Sequence, residues 1–160
     1  MPELTRADLQ AIVERHLDTW QRHDVPALVG FHSADGIVES PMYGTRRGRA
    51  EIEEAYRAFF KSFPDARMDR EAILIDPPNV AIFITVAATH GDDFFGLPAT
   101  NKRLDIRSAR FMQFDAAGVI VHERRIYDFT GVLLQLGVLR ADRGGHVVGR
   151  SNGGKEQDAG

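Results

Sequence analysis

The stretch that decides the fold is residues 119–137, VIVHERRIYDFTGVLLQLG. Its first half is rich in β-branched residues and charges and follows an Ala-Ala-Gly turn, so it predicts a strand over residues 119–127. Its second half is rich in leucine and predicts a short helix. Asp128 lies at the junction, between Tyr127 and Phe129. A carboxyl group among aromatic side chains suits proton transfer near neutral pH, so Asp128 is the first candidate for a catalytic residue.

Three segments before this stretch predict helices. Apolar residues recur at three- and four-residue spacing over residues 9–20, which places them on one side of a first helix. Asp24 followed by Pro26 has the residue types of a helix start and predicts a second, shorter helix. Residues 49–63 carry a broad aromatic face and end at Pro64, which predicts a third helix.

Extended segments make up the rest of the predicted domain. The runs over residues 36–40, 72–76, 80–89 and 102–114 are β-branched, partly alternating and bounded by turn residues. Helices followed by long hairpins predict an α+β domain. A flat sheet could not be covered by so few helices, so we expect a curved antiparallel sheet packed on the three N-terminal helices.

Composition limits the classes of protein and of partner. A chain of 160 residues predicts one domain, here residues 1–140, and the glycine-rich, charged residues 141–160 predict a disordered tail. The net charge of -3 gives no general attraction to nucleic acid or to a membrane surface. Without an apolar run of membrane-spanning length or a secretory signal, the expected location is cytoplasmic.

The metal-binding and thiol chemistries have little support in the sequence. The chain has no cysteine, which excludes disulfides, thiolate nucleophiles and Cys-ligated zinc. Its six histidines do not occur in pairs at ligand spacing. We therefore expect no metal site and no cofactor.

A set of short motifs lies in order along residues 9–139. The motifs are Trp20-Gln21-Arg22-His23-Asp24, Gly44 to Gly48, Phe63-Pro64-Asp65, Thr89-His90-Gly91, Gly96-Leu97-Pro98-Ala99-Thr100, Tyr127-Asp128 and Gln135-Leu136-Gly137. In this order they resemble the SnoaL-like polyketide cyclases, which share the nuclear transport factor two fold. The resemblance implies a cone-shaped domain with an apolar pocket, a short C-terminal helix and a homodimer formed through the outer sheet face.

The resemblance also implies roles for particular residues. The enzymes of this family move protons on an apolar carbonyl substrate without a cofactor, by aldol-type cyclisation, and isomerisation would use the same acid/base logic. Their acid/base aspartate matches Asp128, which by alternation along the strand places His122 and Arg124 on the pocket face. His90 or His122 would polarise the substrate carbonyl. The predicted substrate-binding residues are Trp20, Tyr43, Phe59, Phe63 and Arg124.

Two alternatives remain open from the sequence. Asp128 would instead be a helix N-cap if it bonded backbone amides in solvent, and the protein would then be a non-catalytic ligand carrier or a dimerisation module. The limonene epoxide hydrolases, which share the fold, suggest epoxide hydrolysis through an Asp-Arg-Asp arrangement. The strand over 80–89 lacks an Arg-x-Asp, and Arg103-Leu104-Asp105 lies one strand too late, so we rank this alternative lower.

Overall fold

The fold combines four helices and eight strands in the part of the chain that the computed structural model describes, residues 3–142 and 144–149. In chain order the elements are α1 Arg6–Gln21, α2 Val25–Gly30, β1 His32–Ser40, β2 Gly44–Arg47, α3 Gly48–Ser62, β3 Arg67–Asp76, β4 Asn79–Thr89, β5 Arg103–Phe114, β6 Ile120–Tyr127, α4 Phe129–Gln135, β7 Leu139–Ala141 and β8 Val147–Gly149. The predicted α+β architecture, with three N-terminal helices and a short C-terminal helix, is confirmed.

The main sheet has six strands in the order β2-β1-β6-β5-β4-β3. All neighbouring pairs are antiparallel except β1 with β6, which is parallel. The sheet is therefore mixed, whereas the sequence predicts an antiparallel one. A parallel neighbour needs a long connection, and the chain supplies it by building α3 and four strands between β1 and β6.

Side-chain caps fix the start of the helical hairpin. The Thr5 hydroxyl accepts a hydrogen bond from the Asp8 backbone N–H at 3.2 Å, and the Asp8 carboxylate accepts one from the Thr5 N–H at 2.8 Å. The Asp24 carboxylate accepts from the Ala27 N–H at 3.1 Å and starts α2. Caps of this kind stabilise a helix by about 1 kcal/mol each. The buried Trp20 lies in the last turn of α1.

Two segments differ from the sequence prediction. Residues 44–47, expected as a loop, form β2 and pair with β1, since Gly44 at φ +66° closes the tight turn between these strands. Within the predicted tail, residues 141, 142 and 144–149 contribute to the β7–β8 hairpin, whose turn is held by the Asp142 carboxylate accepting from the Gly144 and His146 N–H groups. Residues 150–160 lie outside the described residues.

The two faces of the sheet have different surroundings. The inner face packs on the helices and carries the buried apolar side chains of the core. The outer face exposes Leu74, Phe83 and Ile126 to solvent. A homodimer that covers this face stays a prediction. No helix in the described part of the chain is long and apolar enough to cross a membrane.

Candidate functional site

A narrow cavity lies between the helices and the inner face of the sheet. The space open to the centre of a water molecule is about 40 Å³. Its walls are largely aromatic, and its polar base comes from β5 and β6. The wall includes Trp20, Tyr43, Tyr56, Phe59 and Tyr127, and the base includes Ser108, Arg110 and Arg125. An apolar enclosure with a few convergent polar groups is the usual form of a small-molecule site.

Three of the predicted substrate-binding residues line this cavity. Trp20, Tyr43 and Phe59 contribute to its wall, and their role in binding a substrate stays a prediction. Phe63 is fully buried and lies behind the wall, with its ring centroid 5.1 Å from that of Phe59. Arg124 lies elsewhere, on the outer face of the sheet, with 57% of its side chain exposed.

The inward-facing residues of β6 are not those that alternation from Asp128 predicts. Glu123 is buried on the inner face and Arg125, with 13% of its side chain exposed, lies on the same face, whereas His122 and Arg124 face outward. Alternation holds from His122 to Asp128, but Asp128 is itself exposed, so His122 and Arg124 share its outward parity. A register shift near the start of β6 changes the alternation only before His122, which leaves Ile120 and Glu123 both buried.

His122 belongs to a small surface cluster. Its Nε2 lies 2.6 Å from Glu39 Oε2, and the Arg124 Nε donates to the same oxygen at 3.3 Å. The hydrogen bond from His122, followed by the charge of Arg124, lowers the pKa of Glu39 from its usual value. His122 therefore pairs with an outer-face carboxylate, and it does not line the cavity.

Asp128 is exposed and caps α4. Its Oδ1 accepts a hydrogen bond from the Gly131 backbone N–H at 2.9 Å. A Cβ on residue 131 would lie 2.6 Å from Asp128 Oδ2, so glycine at this position makes room for the capping carboxylate. Asp128 does not line the cavity, although its neighbour Tyr127 does. This is the arrangement under which the sequence analysis favours a ligand carrier.

His90 is fully buried but lies outside the cavity wall. Its Nδ1 lies 2.9 Å from the Thr100 hydroxyl oxygen, and its ring packs between Phe63 and Phe94 at centroid distances of 5.8 Å and 6.1 Å. Its backbone N–H donates to the Lys102 carbonyl at 3.0 Å. His90 thus joins the two ends of the loop over residues 90–101.

A buried charged network forms the base of the cavity. Glu123 Oε1 accepts a hydrogen bond from Arg125 Nε at 2.7 Å and lies 3.8 Å from Arg110 Nη1. Its other oxygen lies 3.8 Å from His32 Nε2. Arg125 Nη2 donates to the Tyr56 hydroxyl at 3.1 Å. The network therefore connects both strands of the base to α3 and to the start of β1.

The charge states of this network follow from burial and from the neighbouring charges. Burial alone would raise the pKa of Glu123, but Arg125 and Arg110 hold it well below its usual value, so the carboxylate is ionised. Burial, followed by repulsion from Arg125, lowers the pKa of Arg110 to about 10. Burial also lowers the pKa of His16 to about 3 and that of His32 to about 4, so both imidazoles are neutral at pH 7.

The groups that reach the cavity are mostly hydrogen-bond donors. Burial raises the pKa of Tyr43 and of Tyr127, so both hydroxyls keep their protons at neutral pH. The Tyr127 hydroxyl oxygen accepts from the Met42 N–H at 3.1 Å, which leaves its own proton free to donate. Among the residues described, no three His, Cys, Asp or Glu side chains are grouped as metal ligands. The site can bind and polarise a ligand oxygen.

Arg110 and Arg125 were not predicted as site residues from the sequence. The burial pattern of β5 does contain a signal for Arg110. Buried residues alternate along this strand, and Arg110 falls on the same face as Ile106 and Met112. An arginine within an apolar stripe of period two predicts a buried charge. In β6 all four residues 122–125 are charged or histidine, so the sequence shows no apolar stripe that would mark the inward face.

Helices packed on a mixed sheet around an aromatic cavity define a nuclear transport factor two-like domain. Within that class the chain belongs to the SnoaL-like polyketide cyclase family, whose model matches residues 10–136. No curated protein matches the chain with significance.

Solved structures with the same fold include three with informative descriptions. AclR, a candidate hydroxylase from Streptomyces galilaeus, has a TM-score of 0.75 and 24% identity over 85% of this chain and 100% of its own. IdmH, a candidate polyketide cyclase from Streptomyces antibioticus, has a TM-score of 0.69 and 22% identity over 81% and 99%. SalBIII, an epoxide hydrolase/cyclase-like enzyme with a role in pyran ring formation in the polyether salinomycin, has a TM-score of 0.67 and 18% identity over 78% and 94%. At these identities the likeness is one of fold.

Proposed function

We propose that this protein binds a small apolar molecule with a carbonyl group in the cavity, and that the donors at its base polarise the carbonyl oxygen. The observation that carries the proposal is the division of the cavity into an aromatic wall and a base that contains Ser108, Arg110 and Arg125. Donors aimed at an oxygen inside a water-poor site interact with it more strongly than they would in bulk water.

Cofactor-free cyclisation or isomerisation is the second candidate. Family membership and the position of Asp128 directly after Tyr127, which lines the cavity, favour it. A polarised carbonyl makes the adjacent C–H more acidic, and a carboxylate would then remove the proton. Asp128 would have to leave its hydrogen bond to Gly131 to do so, and for this reason we rank binding first.

Epoxide hydrolysis has less support from the geometry. It requires a carboxylate or a comparable base that activates water inside the pocket. Glu123 is the buried carboxylate at the cavity base, but Arg125 and Arg110 lower its pKa, which makes it a weak base, and its Oε1 already accepts a hydrogen bond. Asp128 is exposed.

Ligand binding can be measured at Trp20, which is the one tryptophan of the sequence and lines the cavity. We expect acetophenone to shift the single indole N–H cross-peak in ¹⁵N–¹H NMR spectra with saturation. Ethylbenzene, which has a similar shape without the carbonyl, should bind at least about tenfold more weakly, because it forms no hydrogen bond with the base. Equal affinities, or no saturable shift with either compound, would contradict the proposal.

A control variant locates this binding. Phe59→Ala removes part of the aromatic wall and leaves the polar base in place. It should weaken the binding of both compounds by a similar factor, since both lose the same apolar contact. A shift that is unchanged in this variant would place the ligand outside the cavity.

Substitutions at Asp128 separate catalysis from helix capping. Asp128→Asn keeps a capping oxygen for Gly131, so we expect its free energy of unfolding to stay close to that of the parent, whereas Asp128→Ala should lose about 1 kcal/mol. The readout for catalysis is exchange of the acetophenone methyl protons for solvent deuterium, followed by NMR. Exchange that occurs with the parent and is lost in Asp128→Asn would support the cyclase candidate. If the parent protein catalyses no exchange, the cyclase candidate is contradicted and ligand binding without catalysis remains as the proposed function.

A further inference from the structure

The guanidinium of Arg110 is buried and forms no hydrogen bond with the residues that the structure describes. Its side chain is 6% exposed, and among the residues described its Nε and Nη1 form no hydrogen bond. The nearest carboxylate oxygen, Glu123 Oε1, is 3.8 Å away and already accepts from Arg125 at 2.7 Å. A buried donor without a partner carries the full cost of its lost hydration.

The base of the cavity also carries an excess positive charge. Arg110 and Arg125 lie directly opposite each other in the β5–β6 ladder. Within the described part of the chain, Glu123 is the one carboxylate that lies within 4 Å of both guanidinium groups. The other titratable groups around them, His16, His32 and the tyrosines 43, 56 and 127, are neutral at pH 7, because burial lowers the pKa of the imidazoles and raises that of the phenols. One positive charge therefore remains uncompensated.

Both features meet at the cavity, because Arg110 and Arg125 line it. A guanidinium presents a planar fork of donors that matches the two oxygens of a carboxylate. A water molecule in the cavity could satisfy a donor, but it would leave the excess charge uncompensated. A bound anion would accept hydrogen bonds from the unpaired donors and would also compensate the excess positive charge.

We propose that the natural ligand carries a carboxylate, which binds Arg110 at the base of the cavity while its apolar part lies against Trp20 and Phe59. The inference rests on the proposed function and narrows its substrate class to small apolar carboxylic acids, including those that also carry a ketone. The carboxylate would supply the negative charge and the acceptors that the base lacks.

The test compares benzoate with benzamide, which has the same shape and no charge, by the Trp20 indole N–H cross-peak at pH 7. We expect benzoate to bind at least tenfold more tightly than benzamide. In Arg110→Met this preference should disappear, because benzoate loses both a charge partner and a donor, whereas benzamide loses at most a donor and keeps Ser108 and Arg125. Arg107→Met is the matched control, because Arg107 lies on the exposed face of the same strand. It should keep the full preference.

The outcomes separate this inference from the proposed function. If acetophenone and benzamide bind but benzoate binds no better, the carboxylate inference is overturned and the proposed function stands. If none of the three compounds binds, both are overturned. A preference for benzoate that persists in Arg110→Met also overturns the assignment to Arg110. If Arg110→Met does not fold, Arg110→Lys replaces it, because lysine keeps the positive charge without the planar fork of donors. We expect Arg110→Lys to bind benzoate about tenfold more weakly than the parent protein does. This variant should still bind benzoate more tightly than benzamide.

Discussion

Replacing Glu123 with glutamine is expected to reduce the free energy of unfolding by about 3–5 kcal/mol, because it removes the carboxylate from between two buried guanidiniums. The amide oxygen of the new side chain can still accept from Arg125 Nε, but it does not compensate either charge. Urea denaturation at pH 7, with the slope compared between variants, measures the loss.

The control for this substitution is Glu39→Gln. Glu39 also accepts from an arginine and from a histidine, but it lies on the outer face and is 43% exposed. Water and salt screen such a pair, so the loss of stability should be far smaller than in Glu123→Gln. Equal losses in the two variants would show that the buried network does not depend on the charge of Glu123.

A double variant tests the charge balance itself. Adding Arg110→Met to Glu123→Gln removes one of the two uncompensated charges, so we expect it to recover part of the stability that Glu123→Gln loses. In the parent, Arg110→Met should cost little, since Arg110 forms no hydrogen bond within the described part of the chain. A double variant whose loss equals the sum of the single losses would contradict the coupling.

The second large effect is acid destabilisation through His16 and His32. Both are buried, and burial lowers their pKa values to about 3 and about 4, below the value near 6.5 of an unfolded histidine. Between these values the unfolded chain binds more protons than the folded protein, so stability is lost as the pH falls. From pH 7 to pH 5 we expect a loss on the order of 2 kcal/mol for each histidine.

Urea denaturation at pH 7 and pH 5 checks this dependence. His16→Leu and His32→Gln remove one titrating group each, so each variant should lose less stability between the two pH values than the parent loses. His146→Gln is the control, because that imidazole is 82% exposed, and it should keep the dependence of the parent. Glu123 adds a loss of the same sign at lower pH, since its pKa is lowered in the fold. Identical pH dependence in the parent and both variants would contradict the assignment.

Much of the fold could be predicted because its signals are local. The caps of α1 and α2, the aromatic face of α3 and the long hairpins of β3 to β5 each depend on residues close in sequence. The parallel pairing of β1 with β6 could not be predicted in this way, since it depends on strands about 80 residues apart. The pairing of β2 with β1 depends on Gly44, which permits either a turn or an irregular loop.

The candidate site also contains residues that could be predicted from local sequence and residues that could not. Trp20 and Phe59 could be predicted as wall residues from helical spacing, and Tyr43 directly precedes the motif Gly44 to Gly48. The base could not, because the alternation of charges along β6 does not say which of its two faces packs on the helices. Asp128 illustrates the difference, since its neighbours in sequence are aromatic while its neighbours in space are solvent and the Gly131 amide.

The sequence by itself determined the α+β class, the resemblance to the SnoaL-like family and most of the aromatic wall, because periodicity and short motifs carry this information over a few residues. Only the tertiary structure decided that Asp128 caps a helix and that Arg110, Glu123 and Arg125 meet at the base of the cavity. The physical reason is that burial and charge compensation are properties of packed strands, and they arise only when residues from separate strands share one face of the sheet.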